Sequence, residues 1–132
     1  MDIKHHVIVS TLLAIFLYPT YGIFVLLIFL GGVLIDVDHY LWYIVVKKSF
    51  SIKKAYKYMK DEYHGTRNMI LIFHNIEFWI SSLIISYFFP LLFPFVIGLA
   101  SHVAMDLIIF FKYRCTHPNP IAYSLIRKYI FR

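Results

Sequence analysis

Ionisable side chains lie inside stretches of this sequence that are otherwise almost entirely apolar. Four of the 7 acidic residues are among them, with four histidines: Asp36, Asp38, Glu77, Asp106, His6, His39, His74 and His102. Such a group costs several kcal/mol in an apolar setting unless it meets a partner, a cation or water. Neutral imidazole and carboxylate together suit Zn²⁺, Mn²⁺ or Fe²⁺, and the absence of a nearby cysteine argues against an iron–sulfur site. These residue types predict a metal site.

The spacing of these residues places them in pairs on single helix faces. The pairs are Asp36 with His39, His74 with Glu77, and His102 with Asp106. Residues three or four positions apart are neighbours on a helix surface. Helical bundles build metal sites from such pairs on facing helices. Asp38 lies about 200° from Asp36 on an ideal helix, so its role is open: ligand, orienting group or surface residue.

We expect the metal ligands to come from seven residues, with His5 as the alternative to His6: His6, Asp36, His39, His74, Glu77, His102 and Asp106. Zn²⁺ is the first expectation, with Mn²⁺ or Fe²⁺ as alternatives, in a cluster of one to three ions. Three or four ligands with an open coordination position would activate a water molecule. A remaining carboxylate would serve as general base, and the candidates are Asp38 and Glu77.

The composition indicates what kind of protein positions these residues. Hydrophobic residues make up 61% of the 132 residues and charged residues only 15%, with a mean hydropathy of +0.72. Soluble domains average roughly 45–50% apolar residues, so a soluble enzyme and a disordered chain are both disfavoured. A single cysteine, Cys115, excludes a disulfide framework and a cysteine-based zinc finger. The sequence predicts one integral membrane domain over residues 1–132.

Four apolar stretches predict an all-α, polytopic four-helix bundle. The predicted spans are 3–18, 21–46, 68–89 and 91–111, of which the first is marginal in length. Pro19 with Gly22, and Pro90 with Pro94, predict tight hairpins between them. Basic residues precede the first span or lie in the loop 47–67 and the tail 112–132, and neither hairpin carries any. The positive-inside rule therefore puts both termini in the cytoplasm, with the protein in the cell (cytoplasmic) membrane.

Two short amphipathic helices are predicted on the membrane surface. Residues 49–63 are basic and aromatic, with apolar residues at helical spacing, and residues 121–130 show a similar pattern. The net charge of +6 is attributed to topology and to attraction for anionic lipids. Membrane lipid is thus the expected partner. No nucleic-acid motif is visible, and the oligomeric state is left open.

Two strips of the sequence resemble a known family. Residues 31–39 read Gly-Gly-Val-Leu-Ile-Asp-Val-Asp-His, and residues 98–106 read Gly-Leu-Ala-Ser-His-Val-Ala-Met-Asp. They resemble the Gly-x-x-x-Pro-Asp-x-Asp-His and Gly-x-x-x-His-x-x-x-Asp strips of the predicted membrane-bound metal-dependent hydrolases. That family includes the LexA-regulated inner-membrane hydrolase-like proteins and is distantly similar to zinc-dependent phospholipases C. His6 also fits its pattern.

The sequence departs from this family at two points. Ile35 stands where the family usually has proline, and the family's strip His-Arg-x-x-Thr-His-Ser is absent. The corresponding region here contains His74, in place of the second histidine, and Glu77 as an added carboxylate. By analogy alone, the resemblance implies phosphoester hydrolysis.

The first functional hypothesis is therefore a membrane-embedded, metal-dependent hydrolase. Its expected substrate is a phospholipid or another amphipathic phosphoester that reaches the site from the cytoplasmic leaflet. One alternative is a metal or proton carrier that uses the same polar layer. The other is a non-enzymatic scaffold whose polar core only fixes the register of the helices.

Overall fold

A computed structural model describes residues 3–59 and 71–113 of the chain, with side chains as far as Ile108. Within these residues the protein is all-helical and contains no strand, which confirms the predicted all-α class. The α-helices are α1 (Ile3–Tyr21), α2 (Leu26–Gly32), α3 (Val37–Lys47), α4 (Ile52–Lys57), α5 (Ile76–Phe88) and α6 (Phe93–Tyr113). Short 3₁₀ turns occupy Gly22–Val25, Leu34–Asp36 and Pro90–Leu92.

Helices α1 and α2 form an antiparallel hairpin that turns at Gly22. This glycine has a φ of +53°, which L side chains rarely adopt, and the chain reverses there. Ala14 of α1 packs in one buried cluster with Val25 and Ile28 of the returning segment. Pro19 does not break α1, because the helix runs through it as far as Tyr21. The predicted hairpin is thus present, and glycine rather than proline makes the turn.

Helices α2 and α6 run parallel, with their backbones in direct contact. A Cβ atom at Gly31 would clash with the carbonyl oxygen of Phe95, and one at Gly98 would clash with that of Ile28. Glycine is the residue that permits such an approach, and small residues serve this purpose in membrane helix pairs. This contact fixes the register of α2 against α6, the two helices that carry the resembling strips.

Replacing Gly98 by Ala is expected to destabilise the protein by about 1–3 kcal/mol, because the added methyl group meets the backbone of α2 rather than a movable side chain. The measurement is the melting temperature of the detergent-purified protein. Ala100→Val adds methyl groups at an exposed position of the same helix and should leave the melting temperature unchanged. Equal effects of the two substitutions would contradict the close α2–α6 contact.

The predicted second span is interrupted between α2 and α3. Helix α2 ends at Gly32, Val33 leaves the helical region with φ −129° and ψ −50°, and a 3₁₀ turn follows over Leu34–Asp36. Helix α3 then starts at Val37. The ideal-helix argument that separated Asp36 from Asp38 does not apply here, because the two residues belong to different helical segments.

The predicted third span also differs from the observed helix. Helix α5 has 13 residues, whereas the prediction covered 68–89. Residues 71–75 form a turn ahead of α5, so His74 lies outside the helix. The second predicted hairpin is present at Pro90, and Phe78 of α5 contacts Phe95 of α6. Pro94 lies in the first turn of α6, where a missing N–H group is tolerated.

Two stretches, Ile3–Lys47 and Pro90–Ile108, are long and apolar enough to cross a membrane. The first contains the turn at Gly22, and most residues of both are not buried inside the protein. Large apolar side chains such as Phe16 and Leu12 point outward, as expected for helices in contact with lipid. These features are compatible with a membrane protein. Four spans and cytoplasmic termini stay predictions.

Helix α4 lies inside the predicted surface segment 49–63. It begins at Ile52, and the Ser51 hydroxyl accepts a hydrogen bond from the backbone N–H of Lys54 at 3.4 Å, a normal N-cap arrangement. Ala55 is the buried residue of α4. The predicted surface helix at 121–130, and most of the tail 112–132, lie outside the described residues.

Candidate metal centre

Six of the seven predicted ligands lie close together, although they come from separate parts of the chain. They are His6 of α1, Asp36 of the 3₁₀ turn, His39 of α3, His74 of the turn before α5, and His102 and Asp106 of α6. Three groups could hold a metal ion: His6, Asp36 and His102; Asp36, His39 and His74; His74, His102 and Asp106. Within each group the ligand atoms lie within 4.8 Å of one another. The groups share members, so they form one continuous cluster.

Two histidine nitrogens and two carboxylates form the centre of this cluster. The Nε2 atoms of His74 and His102 are 3.3 Å apart. Asp36 Oδ1 lies 3.7 Å from His74 Nε2 and 3.5 Å from His102 Nε2. On the other side, Asp106 Oδ2 is 3.2 Å from His102 Nε2. Both histidines are almost fully buried, so these atoms meet inside the protein rather than in bulk water.

The break after α2 determines which nitrogen of His102 carries a proton. In a continuous helix the Asp36 N–H would bond to the Gly32 carbonyl, but here it reaches the Val33 carbonyl at 3.4 Å. The Gly32 oxygen instead lies 3.0 Å from His102 Nδ1. Because a carbonyl only accepts, Nδ1 must donate. In the neutral ring, Nε2 therefore presents a lone pair to the centre.

Asp38 orients His74 in the same way. Its Oδ2 atom is 3.0 Å from His74 Nδ1 and also accepts a hydrogen bond from the Phe73 N–H at 3.1 Å. A carboxylate at Nδ1 favours the tautomer in which this nitrogen donates, so His74 Nε2 also presents a lone pair. A carboxylate or backbone carbonyl behind each imidazole is the usual surrounding of a metal-bound histidine.

These assignments leave like-charged atoms facing one another. Two imidazole lone pairs and the oxygens of Asp36 and Asp106 point into one small volume. Such an arrangement is repulsive unless a cation lies among the atoms. The nitrogen and oxygen donor set fits a borderline divalent ion. The buried His and Asp groups could therefore hold a metal ion.

His6 and His39 contact different residues of the cluster. The His6 ring stacks on His102 with centroids 4.0 Å apart, and its Nε2 atom is 3.8 Å from Asp106 Oδ1. His6 Nδ1 is buried without a hydrogen-bond partner. His39 Nδ1 lies 3.0 Å from Asp38 Oδ1 and 3.5 Å from Asp36 Oδ1. His5, the sequence alternative to His6, is exposed.

The side chains of the cluster differ in their exposure. The side chains of His6, His74 and His102 are almost inaccessible. Those of Asp36, His39 and Asp106 are 25%, 26% and 22% exposed. A small molecule would therefore reach the cluster at Asp36, His39 or Asp106, and we call these partly exposed side chains the open side of the cluster.

No family model matches this chain, and neither the curated proteins nor the solved structures give a match.

The contacts of Asp38 favour an orienting role over that of general base. Its side chain is only 4% exposed, and its Oδ2 atom already pairs with His74 Nδ1 and the Phe73 N–H. Its Oδ1 atom lies 3.0 Å from His39 Nδ1. Glu77 is half-buried in the first turn of α5 and belongs to none of the three groups. Its predicted roles as ligand and as base stay predictions.

Other residues support the site without a signal in the sequence pattern. The Trp79 indole N–H donates to the Phe73 carbonyl at 2.9 Å, which ties α5 to the turn that carries His74. Asn75 caps that turn through a hydrogen bond from its side-chain amide to the Ile72 carbonyl at 3.3 Å. A buried tryptophan N–H usually finds a partner, but spacing alone does not identify it.

Replacing Asp38 by Asn is expected to weaken metal binding by roughly 10- to 100-fold, the usual effect of losing the group behind a ligating histidine. A neutral amide supports the His74 imidazole less well than a carboxylate and need not select the same tautomer. Competition with a chromophoric chelator measures the affinity. The melting temperature without metal is the control for folding. Unchanged affinity in a folded variant would argue against the orienting role.

Proposed function

We propose that this protein is a membrane-embedded, metal-dependent hydrolase of a phospholipid or another amphipathic phosphoester. The observation that carries the proposal is the pair of Nε2 atoms on His74 and His102, 3.3 Å apart, with the carboxylates of Asp36 and Asp106 beside them. His74 Nδ1 faces the Asp38 carboxylate and His102 Nδ1 faces the Gly32 carbonyl, so the Nε2 atoms of both rings are free to ligate. A merely structural histidine pair does not require four acceptors to converge.

The donor set assigns the ligands. His74, His102 and Asp106 would hold one ion, and Asp36 with His6 or His39 would extend the set to a second. When bound, such ions polarise a phosphoryl oxygen and make a coordinated water molecule more acidic. Zn²⁺ is the first candidate, with Mn²⁺ or Fe²⁺ as alternatives, because all three accept imidazole and carboxylate.

The chain's own residues give the site its shape and its access. Asp38 and the Gly32 carbonyl hold two imidazoles in fixed orientations. Asp36 and Asp106 line the open side, where substrate and water would enter. Their negative charge would repel a phosphoester in the absence of a cation, so substrate binding at this side also depends on the ion.

The surroundings of the site support an amphipathic substrate. Four of the candidate ligands, His6, His39, His102 and Asp106, lie on α-helices, and the apolar helices of the protein carry outward-facing aliphatic side chains. Asp38 precedes Lys47 by roughly 13 Å along α3, at about 1.5 Å per residue. The basic end of α3 would face the cytoplasm by the positive-inside rule, so the open side would face the cytoplasmic leaflet. The two strips that resemble the hydrolase family supply Asp36, His39, His102 and Asp106.

Elemental analysis of the detergent-purified protein tests the proposal. We expect bound zinc, manganese or iron in the wild type and its loss in His102→Ala/Asp106→Ala. Ser82→Ala/Ser101→Ala removes two hydrogen-bonding side chains outside the cluster and should keep the metal. A folded, metal-free wild type, even after incubation with these ions, would overturn the proposal.

A proton carrier is the second candidate, because a proton can also separate the two Nε2 atoms. Proton or metal flux in proteoliposomes distinguishes it from the hydrolase. Flux that disappears in His102→Ala, together with a metal-free wild type, would favour the carrier.

A further inference from the structure

A second polar feature lies where α3 meets α4. A cleft of about 250 Å³ is lined by Tyr43, Lys47, Lys54, Lys57 and Tyr58. Three of these residues carry ammonium groups and two present aromatic rings. None of them belongs to the metal centre.

Local backbone signals build this cleft. Lys48 takes the left-handed conformation, with φ 49° and ψ 39°, which ends α3 and reverses the chain. The Tyr40 hydroxyl donates to the Phe50 carbonyl at 2.7 Å and holds the connection against α3. Ser51 then caps α4. As a result, Lys54 and Lys57 lie beside the end of α3.

Aromatic contacts fix the wall of the cleft. The Lys47 ammonium lies 4.4 Å from the centroid of the Tyr58 ring, a cation–π contact. The Tyr58 ring also stacks against Trp42 at 6.3 Å and contacts Tyr43 at 5.7 Å. Lys47 is thus held in place. Because Trp42 stacks on the Tyr58 ring, its fluorescence would report a change in this wall of the cleft.

Among the residues that the structure describes, no acidic side chain compensates the charge of the cleft. Within residues 3–59 and 71–108, no carboxylate lies within ion-pair distance of Lys47, Lys54 or Lys57. Three ammonium groups around one cleft attract an anion with several oxygens, and lysine is a common phosphate ligand. Phe50 and Ile52, 78% and 72% exposed, lie beside these lysines on the connection and on α4. Exposed apolar residues beside lysines are typical of a surface that lies against lipid headgroups.

We propose that this cleft binds a phosphate group, carried either by the headgroup of an anionic lipid or by a soluble phosphate compound. The site is separate from the metal centre, because Lys47 lies roughly 13 Å from Asp38 along α3. None of the five residues that line the cleft belongs to a ligand group of the metal centre. The inference therefore does not depend on the proposed hydrolase activity.

Lipid binding to the full chain in a neutral detergent tests this inference. Native mass spectrometry would follow titrations with phosphatidylglycerol, phosphatidylcholine and inorganic phosphate, and Trp42 fluorescence would give a second readout. We expect Lys54→Gln/Lys57→Gln to weaken phosphatidylglycerol binding roughly 20-fold. Lys48→Gln/Lys53→Gln removes the same charge outside the cleft and should bind like the wild type. Lys54→Arg/Lys57→Arg should keep the binding.

The outcomes separate the two sources of the phosphate group. Preference for phosphatidylglycerol over phosphatidylcholine supports a lipid headgroup, whereas cleft-dependent binding of inorganic phosphate without that preference supports a soluble compound. Equal losses in the two glutamine variants would show diffuse attraction by surface charge and overturn the site. Absence of binding by every probe to the wild type would overturn it too. Melting temperatures of all variants check that they are folded.

Discussion

The variant Asp36→Asn is expected to catalyse metal-dependent hydrolysis at least 100-fold more slowly than the wild type and to bind fewer metal ions. Asp36 belongs to two of the three ligand groups, and its Oδ1 atom lies within 3.7 Å of nitrogens on both His74 and His102. Losing the group that orients a metal ligand already lowers metal affinity or activity roughly 10- to 100-fold, so losing a shared ligand should lower them further. The amide keeps the size of the side chain, so the change acts through charge and donor type.

Metal content and hydrolysis of bis(p-nitrophenyl) phosphate measure this effect together. Glu77→Gln is the matched comparison, because Glu77 is a half-buried acid outside the three groups. If only the Asp36 variant loses metal and activity, the cluster is the reaction site. Loss of metal in the Glu77 variant would instead support the sequence prediction that Glu77 is a ligand. Full activity in Asp36→Asn would remove Asp36 from the centre.

The sequence could predict which residues gather at the site where the helix is regular. His102 and Asp106 lie four residues apart on α6, and their side chains meet at 3.2 Å, as the helix period requires. The sequence also singles out His6, because a histidine in an apolar helix needs a partner, and the structure places it against His102 and Asp106. Burial, rather than spacing, distinguishes it from the exposed His5.

The sequence could not predict the site where the backbone departs from a regular helix. The break at Val33 brings Asp36 and Asp38 into the same site, although an ideal helix would hold them on different faces. His74 reaches the centre from a turn, so its assumed pairing with Glu77 on one helix face does not apply. The turn that carries His74 is joined to Asp38 by a long-range contact, the hydrogen bond from the Phe73 N–H, which no local pattern encodes.

The same break also gives His102 its partner. A continuous helix would use the Gly32 carbonyl internally, and His102 Nδ1 would then lack an acceptor. Close contact of Gly31 and Gly98 with the facing backbones brings α6 near enough for that hydrogen bond. The glycines that resemble a family motif thus have a physical role in this chain. They set the distance at which Asp36, in the turn after α2, meets the ligands of α6.

Removing the metal is expected to lower the melting temperature by about 10 °C. A ligand that binds only the folded state stabilises it by about 4 kcal/mol at 1,000 times its dissociation constant. The effect should be large here because the free centre leaves the carboxylates of Asp36 and Asp106 facing the Nε2 atoms of His74 and His102. Thermal unfolding in detergent, before and after treatment with a chelator and after addition of Zn²⁺, measures it.

The variant His74→Leu/His102→Leu separates metal binding from other effects of the chelator. It removes both facing imidazoles, so its melting temperature should not respond to chelator or to Zn²⁺. The lysine variant Lys54→Gln/Lys57→Gln changes two residues that belong to none of the three ligand groups, so it should respond like the wild type. An equal response of wild type and leucine variant would mean that the stabilising ion binds elsewhere. If neither the chelator nor Zn²⁺ changes the melting temperature of the wild type, protonated histidines rather than a metal ion balance the carboxylates of the cluster.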